Sequence, residues 1–115
     1  MSLQSEQLKE RTMVFPVAVL RLVNRVPRTP AGEVVARQVA KSATSVAANY
    51  RAACSARSGR DFIAKLCIVV EEAEESVYWL DLIARAELAQ GQDLAGVRQE
   101  AVELRAIFSR SLGTK

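Results

Sequence analysis

Residues 30–56 read PAGEVVARQVAKSATSVAANYRAACSA, and this stretch decides the fold class. Its apolar side chains return every three or four residues, which is the period of an α-helix that buries one face. Alanines lie beside the larger aliphatic residues, so a partner helix can approach closely. Thr29 is suited to cap the helix, and Pro30 to occupy its first position, where a missing N–H costs nothing. The pattern predicts one long, closely packed helix over residues 30–56.

Three more helical patterns flank this one, separated by short breaks. The predicted helices cover residues 5–25, 30–56, 59–90 and 94–112. Ser58, followed three residues later by Asp61, is close to a capping box, and Asp93 is predicted to cap the last helix. Pro16 is expected to bend the first helix, because proline removes a backbone hydrogen bond. Short connections make neighbouring helices antiparallel, so residues 1–115 are predicted to form one all-α domain, an up-down-up-down four-helix bundle.

The same periodicity predicts which side chains fill the core. On the second helix these are Val35, Val39, Val46 and Ala53, beside Ala36, Ala40, Ala43, Ala47 and Cys54. On the other helices they are Phe15, Val19, Leu22, Val26, Phe62, Leu66, Val70, Ala73, Val77, Leu80, Ala84, Val97, Ala101, Leu104, Ile107 and Phe108.

The composition excludes several classes of enzyme and metal site. The chain contains no histidine, which removes Ser-His-Asp and Cys-His catalytic sets and histidine-ligated zinc and di-iron sites. Cys54 and Cys67 are expected at different heights on adjacent helices, too far apart for a disulfide, as in a reduced cytosolic protein. No apolar run is long enough to span a membrane, and no signal-peptide cleavage site follows the apolar stretch 13–20. We expect a cytoplasmic, non-enzymatic protein with no cofactor, no metal and no membrane partner.

Charge is distributed unevenly along the chain. Residues 1–57 carry nine basic and three acidic side chains, whereas residues 58–115 carry seven basic and ten acidic ones. Basic residues spread over the first two helices can track a phosphate backbone, so contact with RNA or DNA is one hypothesis. Solvated charge, or pairing with the acidic half of another copy, is the alternative. This basic set consists of Arg21, Arg25, Arg28, Arg37, Lys41, Arg51, Arg57 and Arg60.

Two rows of side chains are the candidate contact surfaces. The polar row of the second helix consists of Gln38, Ser42, Ser45 and Asn49. It borders the valine face, so part of it must be buried and hydrogen-bonded, as at an oligomer contact or a tight crossing of two helices. The third helix carries apolar residues rimmed by carboxylates, which a second copy, another protein or a neighbouring helix of the same chain would cover. This mixed row consists of Ile68, Glu72, Glu75, Trp79 and Leu82.

The acidic stretch 71–75 carries the one enzymatic alternative. Glutamates three and four residues apart share a helix face and can hold a magnesium ion, as in all-α nucleotide pyrophosphatases. A solvated or salt-bridging acidic face is the other explanation. The hypothesis uses Glu71, Glu74 or Glu75, with Glu100 and Glu103 as a second pair on the fourth helix.

Spacings over residues 38–82 carry a family resemblance. One half is Gln38-x-x-x-Ser42-x-x-Ser45-Val46-x-x-Asn49-Tyr50-Arg51, followed by Arg57-Ser58-x-x-Asp61-Phe62-Ile63-x-Lys65-Leu66. The other half is Glu71-Glu72-Ala73-x-Glu75-Ser76-x-Tyr78-Trp79-Leu80. Polar positions match as well as apolar ones, and the chain resembles the bacterial four-helix-bundle proteins associated with intervening sequences of 23S ribosomal RNA genes.

This resemblance implies a short left-handed bundle that assembles into homopentameric rings. Within the family, association with ribosomal RNA is inferred from gene location, and no biochemical activity is assigned. The related accessory protein of diversity-generating retroelements is a basic pentamer that binds nucleic acid and a reverse transcriptase. We therefore expect a homo-oligomeric scaffold or adaptor, a pentamer by resemblance, with RNA or DNA as a further partner.

Overall fold

The computed structural model describes residues 3–113, which form a bundle of four α-helices. The helices are α1 (Leu3–Val23), α2 (Pro30–Cys54), α3 (Gly59–Arg85) and α4 (Gln92–Ser111). Each helix packs against the next one along the chain, and α1 also packs against α4, which closes the bundle. Residues 3–113 contain no strand, so the predicted all-α four-helix bundle is confirmed. Residues 1, 2, 114 and 115 of the predicted domain lie outside the described residues.

Side-chain caps begin α2 and α3, as the sequence predicts. The Thr29 hydroxyl accepts a hydrogen bond from the backbone N–H of Gly32 at 3.1 Å, with Pro30 at the first helical position. The Ser58 hydroxyl accepts one from the N–H of Asp61 at 3.0 Å. Each cap satisfies a backbone donor that has no partner inside the helix.

The connection between α3 and α4 differs from the prediction. Helix α3 ends at Arg85, not near residue 90, because Glu87 takes a left-handed backbone conformation (φ 57°) that turns the chain out of the helix. The N-cap of α4 is Gly91 (φ 95°), so the assignment of Asp93 as the cap was wrong. The Asp93 carboxylate lies in the first turn of α4 and pairs with Arg25.

Pro16 does not interrupt α1, which continues as one helix from Leu3 to Val23. Proline supplies no N–H to the carbonyl of Thr12 one turn earlier. Thr12 is fully buried, and its hydroxyl donates to the Lys9 carbonyl at 2.9 Å. Pro16 itself is buried, so the helix passes through the packed bundle with this one backbone hydrogen bond missing.

The core forms from the predicted apolar faces. Phe15, Val39, Leu66 and Phe108 are at most 2 % exposed, and the remaining predicted core positions are buried or half-buried with one exception. Ala84 is exposed, because the neighbouring Ile83, which is fully buried, takes the core position in the last turn of α3. No helix within residues 3–113 is long and apolar enough to cross a membrane.

Two glycine-to-alanine variants test the packing of the turn before α2. A Cβ on Gly32 would lie 2.1 Å from the Pro27 carbonyl oxygen, whereas a Cβ on Gly96 in α4 would meet nothing within 4 Å. We expect Gly32→Ala to lower the free energy of unfolding by about 1–3 kcal/mol through overpacking. Gly96→Ala should raise it by about 0.5–1 kcal/mol, because alanine is the better helix former. Urea unfolding measures both, and equal effects of the two variants would contradict the tight turn.

Candidate interaction surfaces

The polar row divides between the core and the α2/α3 surface. Ser42 is buried, and its hydroxyl lies 2.9 Å from that of Ser76 on α3. Each hydroxyl also lies within hydrogen-bond distance of a backbone carbonyl one turn earlier in its own helix, Ser42 of Val39 at 3.2 Å and Ser76 of Glu72 at 2.9 Å, so two protons serve three contacts. Gln38 is half-buried. The row therefore marks a close crossing of α2 and α3 at Ser42.

Ser45 and Asn49 lie at the edge of this crossing and are half-buried. The Asn49 amide donates to the carbonyl and the hydroxyl of Ser45, at 2.9 and 3.0 Å. The Ser45 hydroxyl also lies close enough to the Glu72 carboxylate of α3 to favour its charged form. These polar groups have partners within the chain, so they position the two helices and leave little for a ligand to satisfy.

The mixed row lies along one face of α3, beside α2. Its spacing of four, three, four and three residues is that of a single helical face. Ile68 is 40 % exposed, while Trp79 and Leu82 are half-buried. The Trp79 indole N–H donates to Glu75 at 3.4 Å. Trp79 and Leu82 also pack against the core of their own chain, so the row is only partly exposed within a single chain.

Two carboxylates of the mixed row repel each other. Partial burial and the neighbouring Glu75 raise the pKa of Glu72 above its ordinary value, against the Ser45 hydrogen bond and the charge of Lys41. A cation placed over this face would relieve the repulsion.

All eight members of the basic set are exposed. Among the described residues, Arg25 alone of this set forms an ion pair, with Asp93. Every ion pair that joins two different parts of the bundle involves the α4 region, through Arg11, Arg25, Arg98 and Arg105. The two sides that contain α2 have no such pair within residues 3–113.

The glutamates of the magnesium hypothesis lie on different sides of the bundle. Glu74 pairs with Arg105 at 3.4 Å, and the Arg11 guanidinium binds Glu100 at 2.7 Å and Glu103 at 3.1 Å. Hydrogen bonds from Gln99 and Arg11 lower the pKa of Glu103. Within residues 3–113 no three acidic or sulfur side chains converge as a metal site, and Cys54 and Cys67 are free thiols.

A groove between α1 and α2 is a surface that the sequence analysis missed. It has a volume of about 300 Å³ and an almost entirely apolar lining. The apolar stretch 13–20 contributes residues both to the core and to this groove. A second apolar face on α1 was therefore the sequence signal that could have revealed the groove. The groove is lined by Met13, Pro16, Val17, Leu20, Thr44, Ala47, Ala48 and Arg51.

Substitutions at Ser42 test whether this residue belongs to a helix crossing. Ser42→Ala should cost about 1 kcal/mol of unfolding free energy, because Ser76 keeps its bond to the Glu72 carbonyl. Ser42→Val should cost more, about 1–3 kcal/mol, because the added methyl groups force the helices apart. Urea unfolding gives both values. A valine variant as stable as the alanine variant would contradict the close approach of α2 and α3.

Comparisons with known proteins agree with the architecture. The model of the family described as 23S rRNA-intervening sequence protein matches residues 5–110. A crystal structure of a protein of unknown function from the S23 ribosomal protein family of Bacteroides thetaiotaomicron is 30% identical, with a TM-score of 0.83. The similarity covers 92% of this chain and 98% of that one. No curated protein matches the chain.

The family match extends over nearly all of the helical bundle, and it includes the polar and mixed rows. The chain therefore belongs to the 23S rRNA-intervening sequence protein family.

Proposed function

We propose that this chain is a non-enzymatic subunit of a homo-oligomeric scaffold. One observation carries the proposal. The sides of the bundle that contain α4 are joined by ion pairs, whereas the sides that contain α2 combine unpaired charges with exposed apolar residues. Apolar residues bordered by unpaired charge are typical of a surface that another protein covers. The pentamer is the assembly that the family resemblance implies.

The way in which two copies could pack together depends on whether neighbouring helices of the bundle run parallel or antiparallel. Arg25, just after α1, lies next to Asp93, whereas Arg11, in the middle of α1, lies next to Glu100. These pairs support an antiparallel arrangement of α1 and α4. The Asp81–Arg98 and Glu74–Arg105 pairs support the same arrangement for α3 and α4. These registers support an up-down-up-down bundle. Its left-handed twist follows from the resemblance and from the usual packing of such bundles.

Two features favour a scaffold over the magnesium-dependent hydrolase. Glu74 is paired with Arg105 between α3 and α4, whereas Glu100 and Glu103 are paired with Arg11 between α1 and α4, so the two groups of carboxylates do not face each other. Ser42, Ser45 and Asn49 of the polar row are hydrogen-bonded within the chain, and no buried side-chain nitrogen or oxygen of the described residues lacks a partner. The name of the family and that of the neighbouring structure specify no reaction.

Light scattering coupled to size-exclusion chromatography tests the assembly. At micromolar concentration we expect a single species of about five times the monomer mass, because a closed ring satisfies every interface. A monomer under these conditions would refute the scaffold. Repeating the measurement at high salt reports how much of the association is electrostatic.

Contact with RNA or DNA is a second candidate function, favoured by the seven exposed cations of the basic set that have no ion pair within residues 3–113. Such cations can release counterions from a phosphate backbone. Arg21 and Arg28 lie near the end of α1, away from the lining of the apolar groove.

A filter-binding titration against salt tests this second function. Wild-type protein should bind at low salt, and the double charge reversal Arg21→Glu with Arg28→Glu should weaken binding and reduce the salt slope by roughly 1–2. Arg110→Glu on α4 is the matched control, since Arg110 lies outside the basic set. Absence of binding at low salt, or equal effects of the two variants, would exclude a nucleic-acid surface here.

A further inference from the structure

We propose that α3 of one copy docks along the outer face of α2 in the next copy, beside the apolar groove. The inference rests on the proposed homo-oligomer and specifies its contact: the mixed row of one subunit meets an exposed stripe on its neighbour. This α2 stripe consists of Val34, Arg37, Lys41, Thr44, Ala48 and Arg51.

The α2 stripe and the mixed row have the same periodicity. Members of the stripe are three, four, three, four and three residues apart, and all are exposed. Extended backward through Lys65 and Asp61, the mixed row follows the same alternation on α3. Two helices with matching alternations of three and four residues can pack along their whole length.

The direction of the contact follows from the bundle. In a ring whose axis is parallel to the helices, every copy points the same way. If α2 and α3 run antiparallel within a chain, α3 of one copy is also antiparallel to α2 of the next. In such a pair, each step forward along α2 is a step backward along α3.

One antiparallel register places opposite charges together along both rows. It puts Trp79 on the exposed Val34 and Ile68 on Thr44, which forms part of the groove lining. The three basic side chains of the stripe form no ion pair within residues 3–113 and then face three acidic ones, of which Asp61 is paired with Lys65 and Glu72 lies within the electrostatic influence of Lys41 in its own chain. The facing pairs are Val34–Trp79, Arg37–Glu75, Lys41–Glu72, Thr44–Ile68, Ala48–Lys65 and Arg51–Asp61.

The apolar groove would add buried apolar surface to the interface, which the charged pairs alone do not provide. Met13, Val17 and Leu20 are 42, 40 and 44 % exposed, and they lie next to the α2 stripe across the groove. A neighbouring α3 seated on the stripe would cover them. The contact would then combine charged pairs along α2 with apolar area on α1, and both kinds of contact are usual in protein interfaces.

The two surfaces lie on adjacent sides of the bundle, which share α2. Surfaces on opposite sides would build an open filament, whereas adjacent sides of a square bundle, about 90° apart, close a ring at about four copies. An opening to about 108° gives five copies. The geometry is therefore that of a small ring, and it commits Arg37, Lys41 and Arg51 to the interface. Nucleic acid would then be left with Arg21, Arg28, Arg57 and Arg60.

Charge reversal at one facing pair tests the contact. Arg37→Glu and Glu75→Arg each place like charges across the interface, so each should weaken assembly at least about tenfold in light scattering or sedimentation. Both positions are exposed, and circular dichroism checks that the helices remain. Arg110→Glu, which lies outside both rows, is the control and should assemble like the wild type.

Mixing the two variants identifies the contact as one between copies. In an equimolar mixture, the new glutamate of the Arg37→Glu variant meets the new arginine of the Glu75→Arg variant. The remaining wild-type surfaces also match, so oligomers in which the two variants alternate should form. A ring of four copies can alternate throughout, whereas a ring of five keeps one mismatched contact, so the recovered association need not reach the full wild-type mass. If the wild type is an oligomer and the Arg37→Glu variant assembles equally well, this interface is wrong but the scaffold stands. The same conclusion follows if the mixture of the two variants stays dissociated. A monomeric wild type would instead remove the scaffold itself.

Discussion

The close approach of α2 and α3 at Ser42 and Ser76 is the constraint on which the rest of the structure depends. The two hydroxyls are 2.9 Å apart, and each also lies within hydrogen-bond distance of a carbonyl of its own helix, so the crossing leaves room only for small side chains. Ala43 on α2 and Ala73 on α3 are further small residues that are fully buried. Since the inner face of α2 is fixed in this way, its outer face must present its three basic side chains to solvent.

The ion pairs, too, distinguish the sides of the bundle that contain α2 from the sides that contain α4. Arg11, Arg98 and Arg105 connect α4 to its two neighbours, whereas no ion pair within residues 3–113 connects α2 to α1 or α3. An exposed pair contributes at most about 1 kcal/mol, so these contacts add little to stability. They matter because they show which sides of the bundle have charged side chains without an ion-pair partner among the described residues. Both sides of the bundle that include α2 keep charges available for a partner of opposite sign.

Much of the fold follows from the sequence because periodicity reports burial directly. The spacings of α2 and α3 located their core faces, and Thr29 and Ser58 located their caps. The end of α3 was missed because nothing local marks Glu87 as the residue that adopts a left-handed conformation. Asp93 was taken for a cap because the residue type fits, but tertiary pairing with Arg25 holds it inside the first turn of α4.

The interaction surfaces were only partly accessible from sequence. The mixed row was visible because Trp79 and Leu82 lie outside the core spacing of α3. The polar row looked uniform, yet packing depth separates Ser42 in the core from Ser45 at the edge. The groove was missed because its apolar lining comes from two helices, and only their packing brings Val17 and Ala48 together.

Acrylamide quenching of Trp79 over a dilution series tests most directly whether a second copy covers α3. The chain contains one tryptophan, so its fluorescence reports this row alone. If self-association covers the row, quenching should be weak at high concentration and should rise on dilution, in step with the fall in molecular mass. Quenching that stays constant while the assembly dissociates would contradict an interface at Trp79.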